Sequence, residues 1–263
     1  MKARGTVRHP TGKALQRLVG HLLQKYQDPT GIIRHRGRSR VTDQMHFAPS
    51  QPSLCLYGPS NIWEFKSDLD VDTTNVFDET NDGAGTSLVV QDELGGFAKV
   101  TNNAGDDKYY FYESKYEVAD LETDKDLWFR THIQIGDVSE ADMFVGLCAR
   151  LAAGNLFDTR VDSIGFYLVD GSGILQCEAS KDSTPTQTAT AKTMTDGTTV
   201  ALGFHVTKDN RVEFWIDDDK TAVIDIATNM PDDTEMAFSF GIRNGTGSAN
   251  TMSVGRTILH QDP

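Results

Sequence analysis

The sequence predicts an all-β fold, an antiparallel β-sandwich preceded by a basic N-terminal arm that carries one amphipathic helix. Three observations predict it: alternating apolar residues in run after run beyond residue 60, turn-forming clusters between those runs, and a charge balance that divides the chain near residue 50.

The alternation is clearest where Leu127, Phe129, Thr131, Ile133 and Ile135 interleave with Trp128, Arg130, His132 and Gln134, one set facing a core and the other facing out. It returns at Ile164, Phe166 and Leu168, at Val200, Leu202, Phe204 and Val206, and at Val212, Phe214 and Ile216. Met236, Phe238, Phe240 and Ile242 repeat it, and Met252 and Val254 begin a closing strand. The punctuation is Asp170-Gly171-Ser172-Gly173, Lys208-Asp209-Asn210, Asp217-Asp218-Asp219-Lys220 and Asn244-Gly245-Thr246-Gly247. Strands separated by so few residues pair antiparallel, because parallel pairing needs a long crossover. No helical period is sustained in this part of the chain, so residues 51–263 read as one sandwich domain.

Residues 1–50 are different. They hold ten Lys or Arg against Asp28 and Asp43, a net of +8, whereas the remaining 15 basic and 36 acidic residues give −21. Such asymmetry marks an arm with a partner of its own. Within it Leu15, Leu18, Val19, Leu22, Leu23 and Tyr26 fall at spacings of three and four, predicting a helix over about 11–27. Pro10 and Thr11 start that helix and Asp28-Pro29-Thr30-Gly31 stops it. A lone helix of this length is marginal in water, so its stripe at Leu15, Leu18 and Leu22 packs either on its own sandwich or on another subunit. Arg34, Arg36, Arg38 and Arg40 follow in one short run. No aromatic residues interleave with them, and a body at −21 repels a polyanion, so acidic protein surface is the expected partner rather than nucleic acid. Pro49, Pro52 and Pro59 make the stretch from His46 to Ser60 an extended connector.

Composition excludes several classes. The N-terminus lacks an apolar h-region and no run of 18 apolar residues occurs, so neither a secretory signal nor a membrane span is expected. Cys55, Cys148 and Cys177 are odd in number and form no Cys-x-x-Cys pair, which argues for small buried residues in a reducing place of synthesis. The histidines of the body show no ligand-like spacing, and no Gly-x-Ser-x-Gly elbow or phosphate-cradling loop appears. Asp68, Asp70 and Asp72 alternate but lack the glycine turn and bidentate Glu of a calcium loop. No metal or cofactor is expected.

The stretch from Val200 to Asp217, an alternating strand, a polar turn and then Val212-Glu213-Phe214-Trp215-Ile216-Asp217, resembles the late strands of concanavalin-like, laminin-G-like jelly rolls. Asp142-Met-Phe-Val-Gly-Leu-Cys148 with Asp162-Ser-Ile-Gly-Phe-Tyr-Leu-Val-Asp-Gly-Ser-Gly-Ile-Leu175 resembles a pattern of phage virion proteins. Together the resemblances span roughly 125–260. They imply a jelly roll in a phage structural protein that decorates the head, made in the host cytoplasm and bound to the capsid lattice through its arm. Jelly rolls also include β-glucanases, which resemble one another in a Glu-x-Asp-x-Glu strand; none occurs here. Glu113 with Glu117, and Glu213 with Asp217, are the nearest pairs and read as solvated outer-face charges. An enzyme is therefore not expected. A glycan-binding module of a tail fibre or tailspike is the alternative, and it needs exposed aromatic platforms. Trp128 and Trp215 are placed outward by their inward neighbours Phe129 and Phe214, so they serve either a glycan or a subunit interface, the latter expected as a homotrimer.

Overall fold

A computed structural model of the chain describes residues 62–65, 76–82, 86–91, 96–121, 126–151, 156–158, 160–187, 191–209, 211–225, 230–231 and 234–261. The arm, with its helix at 11–27 and Leu15, Leu18, Leu22, Arg34, Arg36, Arg38 and Arg40, lies outside the described residues. So do Cys55, Asp68, Asp70, Asp72 and the side chain of Trp63.

Strands follow one another along the chain. They are β1 (Ile62–Phe65), β2 (Phe77–Asn81), β3 (Thr86–Gln91), β4 (Phe97–Thr101), β5 (Tyr109–Ser114) and β6 (Ala119–Asp120). Then come β7 (Leu127–Ile135), β8 (Ala141–Ala149), β9 (Ser163–Leu168), β10 (Ile174–Lys181), β11 (Thr184–Gln187) and β12 (Lys192–Thr193). The last six are β13 (Val200–Thr207), β14 (Arg211–Ile216), β15 (Asp219–Asp225), β16 (Glu235–Asn244), β17 (Thr251–Val254) and β18 (Thr257–Gln261). One sheet runs β15-β14-β13-β7-β17-β4-β3, with β18 also on β7 and β1 on β18. The other runs β11-β10-β9-β8-β16-β5-β2, with β12 on β10 and β6 on β16. Pairing is antiparallel throughout.

The apolar positions of the alternating runs all lie in one core between the sheets, Leu127, Phe129, Ile133 and Ile135 from β7 among them. Rings bridge the layers: Phe129 of the first sheet lies 5.9 Å from Phe238 of the second, and Phe214 meets Phe166 edge-on at 5.4 Å. Such ring pairs add directional energy to the burial itself. Thr131, the polar member of its run, is fully buried and satisfied by Thr257 at 2.8 Å. Cys148 and Cys177 are free and buried. The turn after β14 carries Asp217 and Asp218 at φ 50° and 71°, left-handed backbone that Asp tolerates better than most residues.

One end of the sandwich is closed by buried asparagines. Asn250 donates to Asp137 O at 2.7 Å and accepts from the Asp137 and Thr251 amides at 3.0 and 2.7 Å. Its own amide donates to Asn102 Oδ1 at 2.8 Å, and Asn102 Nδ2 reaches Lys108 O at 3.1 Å. Three loops are thereby tied by side-chain amides that water cannot reach. Asn250→Ala strands several of those groups, each costing about 1–3 kcal/mol when buried without a partner. We expect it to lower unfolding free energy by at least about 2 kcal/mol, read from urea denaturation; a change within error would show that the loops close without the amide.

Candidate functional site

The two outer faces are where this sandwich can meet a ligand, and they are built differently. Along the second sheet the register sets Glu113, Ser239, Gly146, Gly165 and Glu178 side by side across β5, β16, β8, β9 and β10. The neighbouring row is Phe111, Gly241, Phe144, Tyr167 and Gln176. Alternation predicts a solvated outer face here, yet β8 and β9 are buried at nearly every position. The reason is the connection between them. Leu156 from that connection packs fully buried among Phe111, Phe144, Cys148 and Tyr167, with Leu151 and Phe157 against the same cluster. Glycine makes the fit possible. A Cβ at Gly241 would stand 2.4 Å from Phe111 Cβ, and one at Gly165 would stand 3.1 Å from Phe144 Cζ.

Charges fasten this cover. Arg160 donates from Nε to Glu178 Oε1 at 2.8 Å, and its guanidinium lies 4.9 Å over the Phe144 ring. Ser163 Oγ donates to the same Glu178 oxygen at 3.2 Å, so a carboxylate only 1% exposed is paired and hydrogen-bonded. Arg243 bridges Asp142 and Asp158, both at 2.7 Å, and lies 5.3 Å over Phe157. Arg150 donates to Lys115 O at 2.8 Å and pairs with Asp78.

Glu113 corrects the sequence reading. It was expected on a solvated face with Glu117, but it is 4% exposed while Glu117 lies past the strand end in solvent. Burial pushes its carboxyl up to about 7, against the moderating pull of the Leu151 amide and Arg150. Glycosidase chemistry asks for two carboxyls about 5–10 Å apart. Glu113 and Glu178 stand four strands apart, about 19 Å at the usual strand spacing of about 4.8 Å, whereas Asp78 of β2 is the direct cross-strand partner of Glu113. Among the described residues no group of three His, Cys, Asp or Glu is gathered to hold a metal ion, and no helix is long and apolar enough to cross a membrane.

The first sheet presents the predicted tryptophans. The register sets Glu213, His205, Trp128 and His260 in one row across β14, β13, β7 and β18. Both Trp128 and Trp215 stay out of the core cluster, as alternation predicts. Both are nevertheless covered, at 4% and 7% exposure. The His205 ring lies parallel on Trp128 at 4.7 Å and His260 tilts against it at 5.2 Å. Lys220 Nζ lies 5.7 Å over Trp215 and bonds Glu213 at 2.6 Å. His205 Nε2 stands 3.1 Å from Asp126 Oδ1. The rings are covered by their own neighbours. Sequence reasoning found the outward direction of these residues; what covers them depends on cross-strand pairing that alternation does not encode.

No family model and no curated protein matches the sequence. The fold is similar to that of a Bacteroides ovatus mixed-linkage glucan GH16 protein in complex with a product, at TM-score 0.55 and 11% identity over 74% of this chain and 98% of that one. It is similar at TM-score 0.54 and 11% identity to a structure reported for endo-acting O-glycanases of the human gut microbiota, over 75% and 98%. A Shewanella oneidensis protein of unknown function matches at TM-score 0.54 and 11% identity over 75% and 84%, and the metal-free carbohydrate recognition domain of Emp46p at 0.51 and 8% over 75% and 95%. At these identities the likeness is one of fold alone: a concanavalin-like jelly-roll sandwich, found in a GH16 protein and in a carbohydrate recognition domain.

The Arg160–Glu178 pair yields a direct test of what fastens the cover. Arg160→Met leaves Glu178 buried without its cation, and we expect a loss of about 3–5 kcal/mol. Adding Glu178→Gln should recover most of it. Guanidinium chloride melts of the single and double variants measure this, and a single variant as stable as the parent would show that Glu178 is solvated.

Proposed function

We propose that this jelly roll is a non-enzymatic structural component of a phage particle, attached to the capsid lattice through residues 1–50. The division of charge carries the reading: a segment at +8 joined to a body at −21 suits an anchor that meets acidic protein surface. Among the described residues the two outward tryptophans are covered by their own neighbours. The anchoring groups in this reading are Leu15, Leu18, Leu22, Arg34, Arg36, Arg38 and Arg40. The particle places the protein in the virion, with a trimer at a threefold position as the simplest symmetric arrangement.

A second reading is a glycan-binding module, favoured by the fold likeness to a carbohydrate recognition domain and to the glucan-bound GH16 protein. Loops at the sandwich ends would then carry the sugar, since the tryptophan rings are 4% and 7% exposed.

Deleting residues 1–50 separates the two. On the first reading the shortened protein melts cooperatively with an unchanged near-UV signal but no longer sediments with particles. The full chain is released as sodium chloride rises, since exposed pairs are screened beyond about 10 Å at 0.1 M salt. Retention after deletion, together with saturable signal on a glycan array, would overturn it in favour of the second.

A further inference from the structure

Two histidines project from the outer face of the first sheet, His132 on β7 and His205 on β13, and their surroundings differ in charge. Burial, and then the Arg130 guanidinium, hold the His132 imidazole below its usual range, against the pull of Asp217. His205 sits between two carboxylates instead. Its Nε2 stands 3.1 Å from Asp126 Oδ1 and its Nδ1 4.0 Å from Glu213 Oε2, and all three side chains are mostly buried. The ring lies flat on the Trp128 indole, 4.7 Å away with 9° between the planes. Other charged groups reach this corner from each packed element. Lys220 of β15 bonds Glu213 Oε1 at 2.6 Å, and the Lys208 amide donates to Asp126 Oδ1 at 3.0 Å. His260 tilts against the same indole from β18, on the other side of β7. One row away Arg130 faces Asp218 at 3.9 Å, and at the far end of β14 Arg211 faces Asp225 at 3.7 Å.

We propose that His205 is a proton-operated clasp: as imidazolium it joins Asp126 and Glu213 at once, and as imidazole it keeps only one of them. The two ring nitrogens point apart, and only the protonated ring carries a hydrogen on both. Here each nitrogen faces a carboxylate oxygen. A neutral ring, in either tautomer, therefore turns a lone pair toward a negative charge. The imidazolium instead adds a second cation beside Lys220 to a mostly buried pair of carboxylates. Its charge also rests on the indole face, a favourable position for a cation. The clasp binds three elements together, because Asp126 precedes β7, Lys208 follows β13 and Glu213 lies on β14. It adjoins the place where β1 enters the sheet, with Ile62 opposite His260. Acid therefore tightens this corner and alkali loosens it.

Linkage fixes the direction. A histidine that native contacts hold protonated titrates higher when folded than when unfolded, where the ordinary value is about 6.5. The clasp's contribution is complete below about 6.5, falls by up to about tenfold in the folding constant per pH unit up to the folded midpoint, and is constant above it. Nuclear magnetic resonance of the histidine rings in the full-length protein reads the midpoint between pH 5 and pH 9.5. The His205 signal is assigned by its Overhauser contact to the Trp128 indole and by its absence in His205→Gln. We expect a midpoint at least about one pH unit above 6.5, with both nitrogens protonated at pH 7, while His132 titrates below 6.5. Asp126→Asn and Glu213→Gln should each lower the His205 midpoint. Urea unfolding should show the folding constant falling at least about tenfold more between pH 6 and pH 9 in the parent than in His205→Gln. A midpoint at or below 6.5, one unmoved in both carboxylate variants, or the same pH dependence of stability in parent and His205→Gln would each overturn the clasp. The parent titration decides the matter even if a variant fails to fold.

Discussion

The contact on which the rest of the molecule depends is the meeting of phenylalanine rings between the two sheets. Phe129 and Phe204 stack at 4.6 Å within the first sheet and lie against Phe238 and Phe166 of the second. Phe238 in turn stacks on Phe240 at 5.3 Å, and Phe77 meets both rings edge-on. These side chains come from strands widely separated in sequence, so no hairpin is stable until the layers close on one another. Each ring removes a large apolar area from water, which opposes the entropy lost in ordering so many short strands. The charged features at the surface are possible only because this interior holds the backbone still beneath them.

From that core outward, alternation was a good guide while one face alone had to be dry. Phe166, Phe204, Phe214, Phe238 and Phe240 all point where a period of two sends them, and all lie in the core. The pattern is silent on which strands lie side by side. That β16 sits between β5 and β8, or that β18 joins β7 while carrying β1, follows from long-range closure rather than from any local signal. The same silence explains Glu113. Its strand reads as one apolar and one polar face, yet the polar face is covered by a connection some forty residues later, and a carboxyl called solvent-facing by its neighbours becomes buried. A hint was present in Asp142-Met-Phe-Val-Gly-Leu-Cys148, where apolar residues run without alternation. A strand of that kind is buried on both faces.

The tryptophans show the complementary case. Direction was legible, since Phe129 and Phe214 take the inward positions, but openness was not. Trp128 is closed by histidines on β13 and β18, and Trp215 by Lys220 on β15, partners supplied by register alone. An outward aromatic residue in a sheet is thus a ring whose exposure is decided by its cross-strand neighbours. Here those neighbours are titratable or charged, so the outer face of the first sheet is a polar network with indoles inside it rather than an apolar patch awaiting a partner.

Part of each outer face, then, is covered by the molecule itself: β8 and β9 under their own connection, the two tryptophans under histidines and a lysine. Among the described residues the outward positions left open lie on β2, β4 and β15. Among the described residues large hydrophobics in solvent are scattered, with Tyr116 the most open at 73%. Scattered apolar residues are ordinary on a soluble surface and do not amount to a docking patch. In the proposed reading recognition falls to the segment of opposite charge that precedes the body. A negative body also repels its own copies, so close packing of many such sandwiches needs a positive counterpart between them. The chain carries a positive segment in residues 1–50, and the proposed anchoring rests on that pairing of opposite charges within a single sequence.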